Sequence, residues 1–85
     1  SVLNVYPNPA YDFCIMQLAS MKFYDADIFD VTGRKVKAIF ANQLISTYRF
    51  DITHLSPGVY FIKVAETNAR PQEEGKYYFA KLIKQ

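Results

Sequence analysis

The chain has 85 residues, 51% of them hydrophobic and 16% aromatic, which supplies one folded core, is too short for two domains, and leaves little room for a deep catalytic cleft. Ten Lys and Arg against eight Asp and Glu give a formal charge of +2, too even a balance to drive nucleic-acid binding by electrostatics alone. A single cysteine excludes an internal disulfide, and no apolar stretch approaches the ~20 residues that span a bilayer as a helix.

The apolar residues fall into about seven runs of strand length, at 1–6, 12–18, 22–30, 34–41, 45–52, 58–66 and 76–83, and none repeats at helical spacing. This predicts an all-β domain, an immunoglobulin-like antiparallel sandwich of about seven strands. The first run stops at Pro7-Asn8-Pro9, where two prolines remove two amide donors and fix two φ angles. In the second, Phe13-Cys14-Ile15-Met16 makes Cys14 a buried structural thiol. In the third, Ala26 and Ile28 alternate with Asp27 while Phe29 falls on the polar side, to be covered by a loop or left exposed for a partner. Asp30-Val31-Thr32-Gly33 reads as a type I turn with Gly33 at positive φ, closing a bulged hairpin.

Further along, Ser56-Pro57-Gly58 reads as a second turn, and Tyr60 just beyond it is placed to form a tyrosine corner with backbone a few residues upstream. Tyr60, Ile62 and Val64 share the face better suited to the core, opposite Val59, Phe61 and Lys63. Thr67 to Gly75 is the most polar stretch and the predicted longest loop. After Glu74 the chain carries Lys76, Lys81 and Lys84 and no acidic side chain, as an edge strand guarded by solvated lysines would.

No constellation for catalysis is evident. His54, the sole histidine, sits in the polar turn Thr53-His54-Leu55, and a Cys14–His54 dyad would need both side chains in one pocket of a small sandwich. Asp25, Asp27 and Asp30 suggest a calcium site, yet Asp30 lies on the opposite strand face from the other two, which favours a solvated acidic face. We expect no enzyme, metal or cofactor. Lys76-Tyr77-Tyr78-Phe79-Ala80-Lys81 interleaves basic and aromatic residues like a stacking platform, but a half-buried strand reads the same way, and the lack of Trp weighs against a carbohydrate-binding module.

Four segments in order, Val5-Tyr6-Pro7-Asn8-Pro9, Asp30-Val31-Thr32-Gly33-Arg34-Lys35-Val36, the stretch from Asp51 through Leu55, Gly58 and Tyr60 to Val64, and Lys81-Leu82-Ile83-Lys84, resemble the type A C-terminal sorting domain of the type IX (Por) secretion system. The resemblance implies that residues 1–85 form a single sorting domain at the C-terminus of a larger exported protein. It further implies passage through the periplasm to the outer membrane, cell surface or medium. The implied partners are the type IX translocon, outer-membrane shuttle components and a sortase-like peptidase; that neither nucleic acid nor a transmembrane segment is expected follows instead from the even charge balance and the short apolar runs. A retained docking module of the attachment machinery is the alternative within this family, and a fibronectin III-like adhesive spacer the alternative outside it. Cys14 departs from what an exported domain usually carries. The proposed recognition elements are Gly33, Arg34, Lys35 and Val36 at a cationic hairpin tip, and Lys81, Leu82, Ile83 and Lys84 on a final strand that would pair with a partner's sheet edge. Removing Lys81 to Gln85 is expected to abolish export and leave a folded domain, and exposed edges allow a homodimer.

Overall fold

A computed structural model describes residues 2–67 and 75–85, so most of the predicted Thr67–Gly75 loop lies outside the described residues. The chain is all-β: β1 Leu3–Tyr6, β2 Phe13–Asp30, β3 Lys35–Asp51, β4 Gly58–Glu66 and β5 Tyr77–Lys84, with no helix among the described residues. The sheet is antiparallel and curls into a half-barrel. One edge of β2 carries β1 along its first half and β4 along its second, β3 runs along the other edge, and β5 lies outside β4.

The expected seven-strand sandwich is thereby corrected to five strands in one curled sheet. Runs 12–18 and 22–30 are a single strand, as are runs 34–41 and 45–52. Ala19-Ser20-Met21 and Asn42-Gln43-Leu44 interrupt the apolar pattern but contain neither Gly nor Pro, so the backbone bends without leaving the ladder. The bend in β2 shows as a register shift between the pairs Gln17↔Thr47 and Lys22↔Ile45. In β3 the matching irregularity centres on Asn42, which takes φ 48°, a left-handed conformation that Asn tolerates better than most residues. The Tyr24 hydroxyl donates to the Ser20 carbonyl at 2.8 Å, tying the two sides of the β2 bend together.

The core lies on the concave side. Even-numbered residues of β2 supply Cys14, Met16 and Leu18 before the bend and Tyr24, Ala26 and Ile28 after it. They meet Tyr60, Ile62 and Val64 of β4 and Leu82 of β5, so the face chosen for β4 from alternation is the buried one. The tyrosine corner forms as expected: Tyr60 donates to the Ser56 carbonyl at 2.7 Å. A hydrogen-bonded turn, Ile52–Leu55, precedes it, closed by the Leu55 amide on the Ile52 carbonyl at 3.1 Å, with Asp51 accepting from the Thr53 amide at 2.9 Å; the chain then bends at Pro57, and Gly58 takes φ 157°. No polar or charged residue among those described is buried.

Candidate functional site

The chain crosses from β1 to β2 through Pro7-Asn8-Pro9-Ala10, and this segment fastens the far end of the chain. The Asn8 side-chain amide donates to the Lys81 carbonyl at 2.6 Å while its Oδ1 accepts from the Ile83 amide at 2.9 Å, so one side chain imitates the edge of a strand. Ala10 continues the pairing: its amide donates to the Ile83 carbonyl at 2.9 Å and its carbonyl accepts from the Gln85 amide at 2.8 Å, a short parallel bridge. From the opposite side the buried Cys14 thiol donates to the Pro7 carbonyl at 3.4 Å. Burial pushes that thiol up to about 11, so it stays protonated and inert at neutral pH.

The terminal segment is therefore chiefly a structural part of the fold. Leu82 is fully buried, and the outer edge of β5 from the Lys81 carbonyl to the Gln85 amide is occupied from within the chain. The side chains of Lys81, half-buried Ile83 and Lys84 remain reachable.

The hairpin between β2 and β3 closes as the sequence predicts. The Gly33 amide donates to the Asp30 carbonyl at 3.0 Å, and Gly33 takes φ 86°. Asp30 organises the tip: Oδ1 accepts from the Thr32 hydroxyl at 2.6 Å, the Thr32 amide at 2.9 Å and the Arg34 amide at 3.1 Å. These bonds, the Thr32 hydroxyl first, hold its carboxyl below the usual range. Arg34 Nε also pairs with Asp30 Oδ2 at 3.2 Å, and Lys35 pairs with Asp27 at 3.4 Å. Both tip cations are thus exposed yet matched by a carboxylate, and Val36 packs against the core. Of the three acids weighed for calcium, Asp25 accepts from the Asn42 amide at 2.8 Å while Asp27 and Asp30 hold the pairs just described. No group of three metal-ligating side chains converges among the described residues.

The hairpin tip borders a shallow groove of about 380 Å³ that sequence reasoning did not assemble. Its apolar walls are Phe29, Phe61 and Phe79, contributed by three neighbouring strands, with Val31 and Gly33 at the tip end and Lys63 alongside. Phe29 and Phe61 are direct cross-strand partners, and Phe79 sits beside them on β5, opposite Lys63. Phe79 is 65% exposed, a large apolar area to leave in water. The signal was present in the outward parity of Phe29 and Phe61, but only the β2–β4–β5 order brings the rings together. The groove joins the hairpin tip to the outer face of β5, so it unites the two regions singled out for recognition.

At the opposite end of β4, Glu66 accepts from the Tyr78 hydroxyl at 2.7 Å and from Lys22 at 3.4 Å. The Tyr78 hydrogen bond is the main cause holding the Glu66 carboxyl down, and the same bond raises the Tyr78 phenol to about 12. His54 lies exposed in its turn, whereas Cys14 is buried and bonded to the Pro7 carbonyl.

A family model described as a secretion system C-terminal sorting domain matches residues 4–83. No curated protein and no solved structure matches the chain.

Proposed function

The chain belongs to the family of type IX secretion system C-terminal sorting domains, and from that membership we propose that it directs an attached protein across the outer membrane by being bound, without catalysing a reaction. The supporting observation is the clamp: Asn8 joins the first family motif to the last, so the motifs at the two ends of the chain are one feature of the folded domain. In this reading residues 1–85 are one sorting domain of a larger protein. It travels through the periplasm and is recognised by translocon and outer-membrane shuttle components, with a sortase-like peptidase acting on the delivered cargo.

The recognition surface is the hairpin tip and the phenylalanine groove behind it. Arg34 and Lys35 sit on a rigid turn, held in place by Asp30 and Asp27, and Phe29, Phe61 and Phe79 offer apolar area that folding leaves uncovered. Such an arrangement suits recognition through a few apolar anchors with charges at the rim. Pro7, Asn8, Pro9, Asp30, Leu55, Gly58 and Tyr60 build the scaffold that presents it.

The test is a fusion of these residues behind a signal peptide and a fluorescent reporter in a bacterium with a working type IX system. Delivery to an externally protease-sensitive location, lost in a translocon mutant, is the expected result. A folded reporter that stays in the periplasm would refute the sorting role and favour a retained docking module or a spacer.

A further inference from the structure

The phenylalanine groove is uneven in charge, and the unevenness bears on what a partner must carry. On the outer face of β4 and β5, Phe61 stands directly opposite Lys81 and Lys63 directly opposite Phe79, so rings and cations alternate. Facing residues of such pairs lie about 4.5–5.5 Å apart at Cβ and diagonal ones about 7–8 Å, which puts both ammonium groups within reach of a group seated between the rings. Phe29 extends the rings onto β2 as the cross-strand partner of Phe61. The rest of the outer face of β4 and β5 is Val59, Ala65, Tyr77 and Ile83, none of them acidic.

The cations around the groove are not equivalent. At the tip end Arg34 is matched by Asp30 at 3.2 Å and Lys35 by Asp27 at 3.4 Å. Asp27 is also the cross-strand neighbour of Lys63, but its carboxylate pairs with Lys35. Lys63 instead rests its Nζ over the Tyr77 ring, 4.5 Å from the centroid, and neither it nor Lys81 has a carboxylate partner among the described residues. An incoming carboxylate at the tip meets a carboxylate already in place. At Lys63 and Lys81 it meets an uncompensated cation.

Building on the recognition surface described above, we propose that the groove takes a protein segment in which a large apolar side chain is flanked by carboxylates. The apolar group enters between Phe29, Phe61 and Phe79, and the carboxylates pair with Lys63 and Lys81. The recess of about 380 Å³ has room for a large side chain, and covering Phe79 removes apolar surface that folding leaves in water. The two lysines orient the segment and reject basic ones. Both stand on fixed backbone: Lys63 lies in β4, paired on both sides, and the Lys81 carbonyl is held by Asn8. An anionic bilayer is the competing occupant. It fits less well, because the rings wall a recess and because Asp30 lines the same groove and would be pressed against the headgroups.

Titration of the isotopically labelled chain with the acetylated peptide Asp-Asp-Leu-Phe-Asp-Asp, read by amide chemical shifts, tests this. Shifts are expected at Phe29, Phe61, Lys63, Phe79 and Lys81, with binding that weakens as salt is raised. K63E and K81E together should weaken binding on the order of tenfold and create affinity for Lys-Lys-Leu-Phe-Lys-Lys, a reversal that a merely loosened fold would not produce. F79A, at a ring that is 65% exposed, should weaken binding several-fold with the fold intact. K37Q is the control and should bind as before, since Lys37 faces Ile28 across the ladder, on the sheet side away from the rings. Should the double reversal fold poorly, F79A and the salt dependence read the apolar and charged halves of the site separately. A chain that binds neither peptide, binds both alike, or keeps its affinity for the acidic peptide after the double reversal overturns the proposal. So do phosphatidylglycerol vesicles that shift the same amides when the acidic peptide does not. The reporter fusion reads the sorting role independently: a reporter held in the periplasm refutes that role, whereas a failed titration beside a delivered reporter refutes only this choice of partner.

Discussion

Replacing Asn8 with Ala removes both of its bonds to β5, at 2.6 Å to the Lys81 carbonyl and 2.9 Å from the Ile83 amide, and no others of that side chain. A protein hydrogen bond contributes a net ~0.5–1.5 kcal/mol, so the pair is worth about 1–3 kcal/mol. Asn8 is exposed, and water can replace it at both groups, which places the expected loss near the lower half of that range. For a domain of this size each kcal/mol lowers Tm by about 4–8 °C, so a loss of about 1–2 kcal/mol should shift thermal unfolding by roughly 4–16 °C. Hydrogen exchange adds a local readout, because the Ile83 amide loses its acceptor whereas the Leu82 amide, facing β4, does not. N8D separates the two bonds: it keeps an acceptor for Ile83 but sets a carboxylate oxygen against the Lys81 carbonyl. It should therefore be no more stable than N8A near neutral pH and recover as the carboxylate is protonated. An N8A domain with unchanged Tm and unchanged Ile83 exchange would refute the idea that Asn8 fastens the terminal strand.

Y60F and Y24F each remove one hydroxyl bonded to a carbonyl four residues upstream, and each should lose about 0.5–1.5 kcal/mol in urea denaturation with an unchanged denaturant slope. G33A should cost about 1–2 kcal/mol from the left-handed backbone alone, since no atom lies within 4 Å of an added Cβ, and G33N should recover part of it in the same assay. The Glu66–Tyr78 bond makes stability fall at both extremes of pH. Glu66, lowered in the fold, contributes stability above its unfolded value that is lost as pH falls through the folded one, and Tyr78, raised to about 12, contributes below its unfolded value and loses that as pH rises toward 12; Y78F should flatten both limbs in pH-dependent melts. Deleting Lys81 to Gln85 removes fully buried Leu82, worth ~1.5–3 kcal/mol, together with the whole clamp, so circular dichroism should show an unfolded or severely destabilised domain, in contrast to the folded remnant expected from the sequence.

Features whose physics is local were legible in the sequence. Gly33 sits at the only place where the Asp30 turn needs a left-handed residue, and Tyr60 reaches a carbonyl just four positions away. The inward set Tyr60, Ile62 and Val64 followed from alternation because β4 is paired on both sides and runs without interruption. The strand count was misread where local pattern and pairing disagree: Ala19 to Phe23 point little into the core, yet the backbone stays in the sheet through a bulge that Tyr24 and Asn42 hold in shape. Long-range partners were not legible at all. Nothing in Pro7-Asn8-Pro9 says that its side-chain amide meets a strand more than seventy positions later, and the Phe29–Phe61–Phe79 groove exists only because β4 lies between β2 and β5.

The clamp changes how a terminal sorting signal is to be understood. A signal carried as a linear tail would present its last residues to a receptor as they emerge, and truncation would remove the signal while sparing the fold. Here the last residues are committed to the fold: Leu82 inward to the core, Lys81 and Ile83 through their backbones to Asn8, and Gln85 to Ala10. On the reading proposed above, a receptor would meet the surface that the completed fold exposes, the Arg34–Lys35 tip and the groove beside it. Loss of export on deleting the tail therefore tests folding and recognition together. The two are separated by changing groups that stand outside the core and the clamp, such as Arg34, Lys35 and Phe79, in a domain whose Tm is first shown to be unchanged.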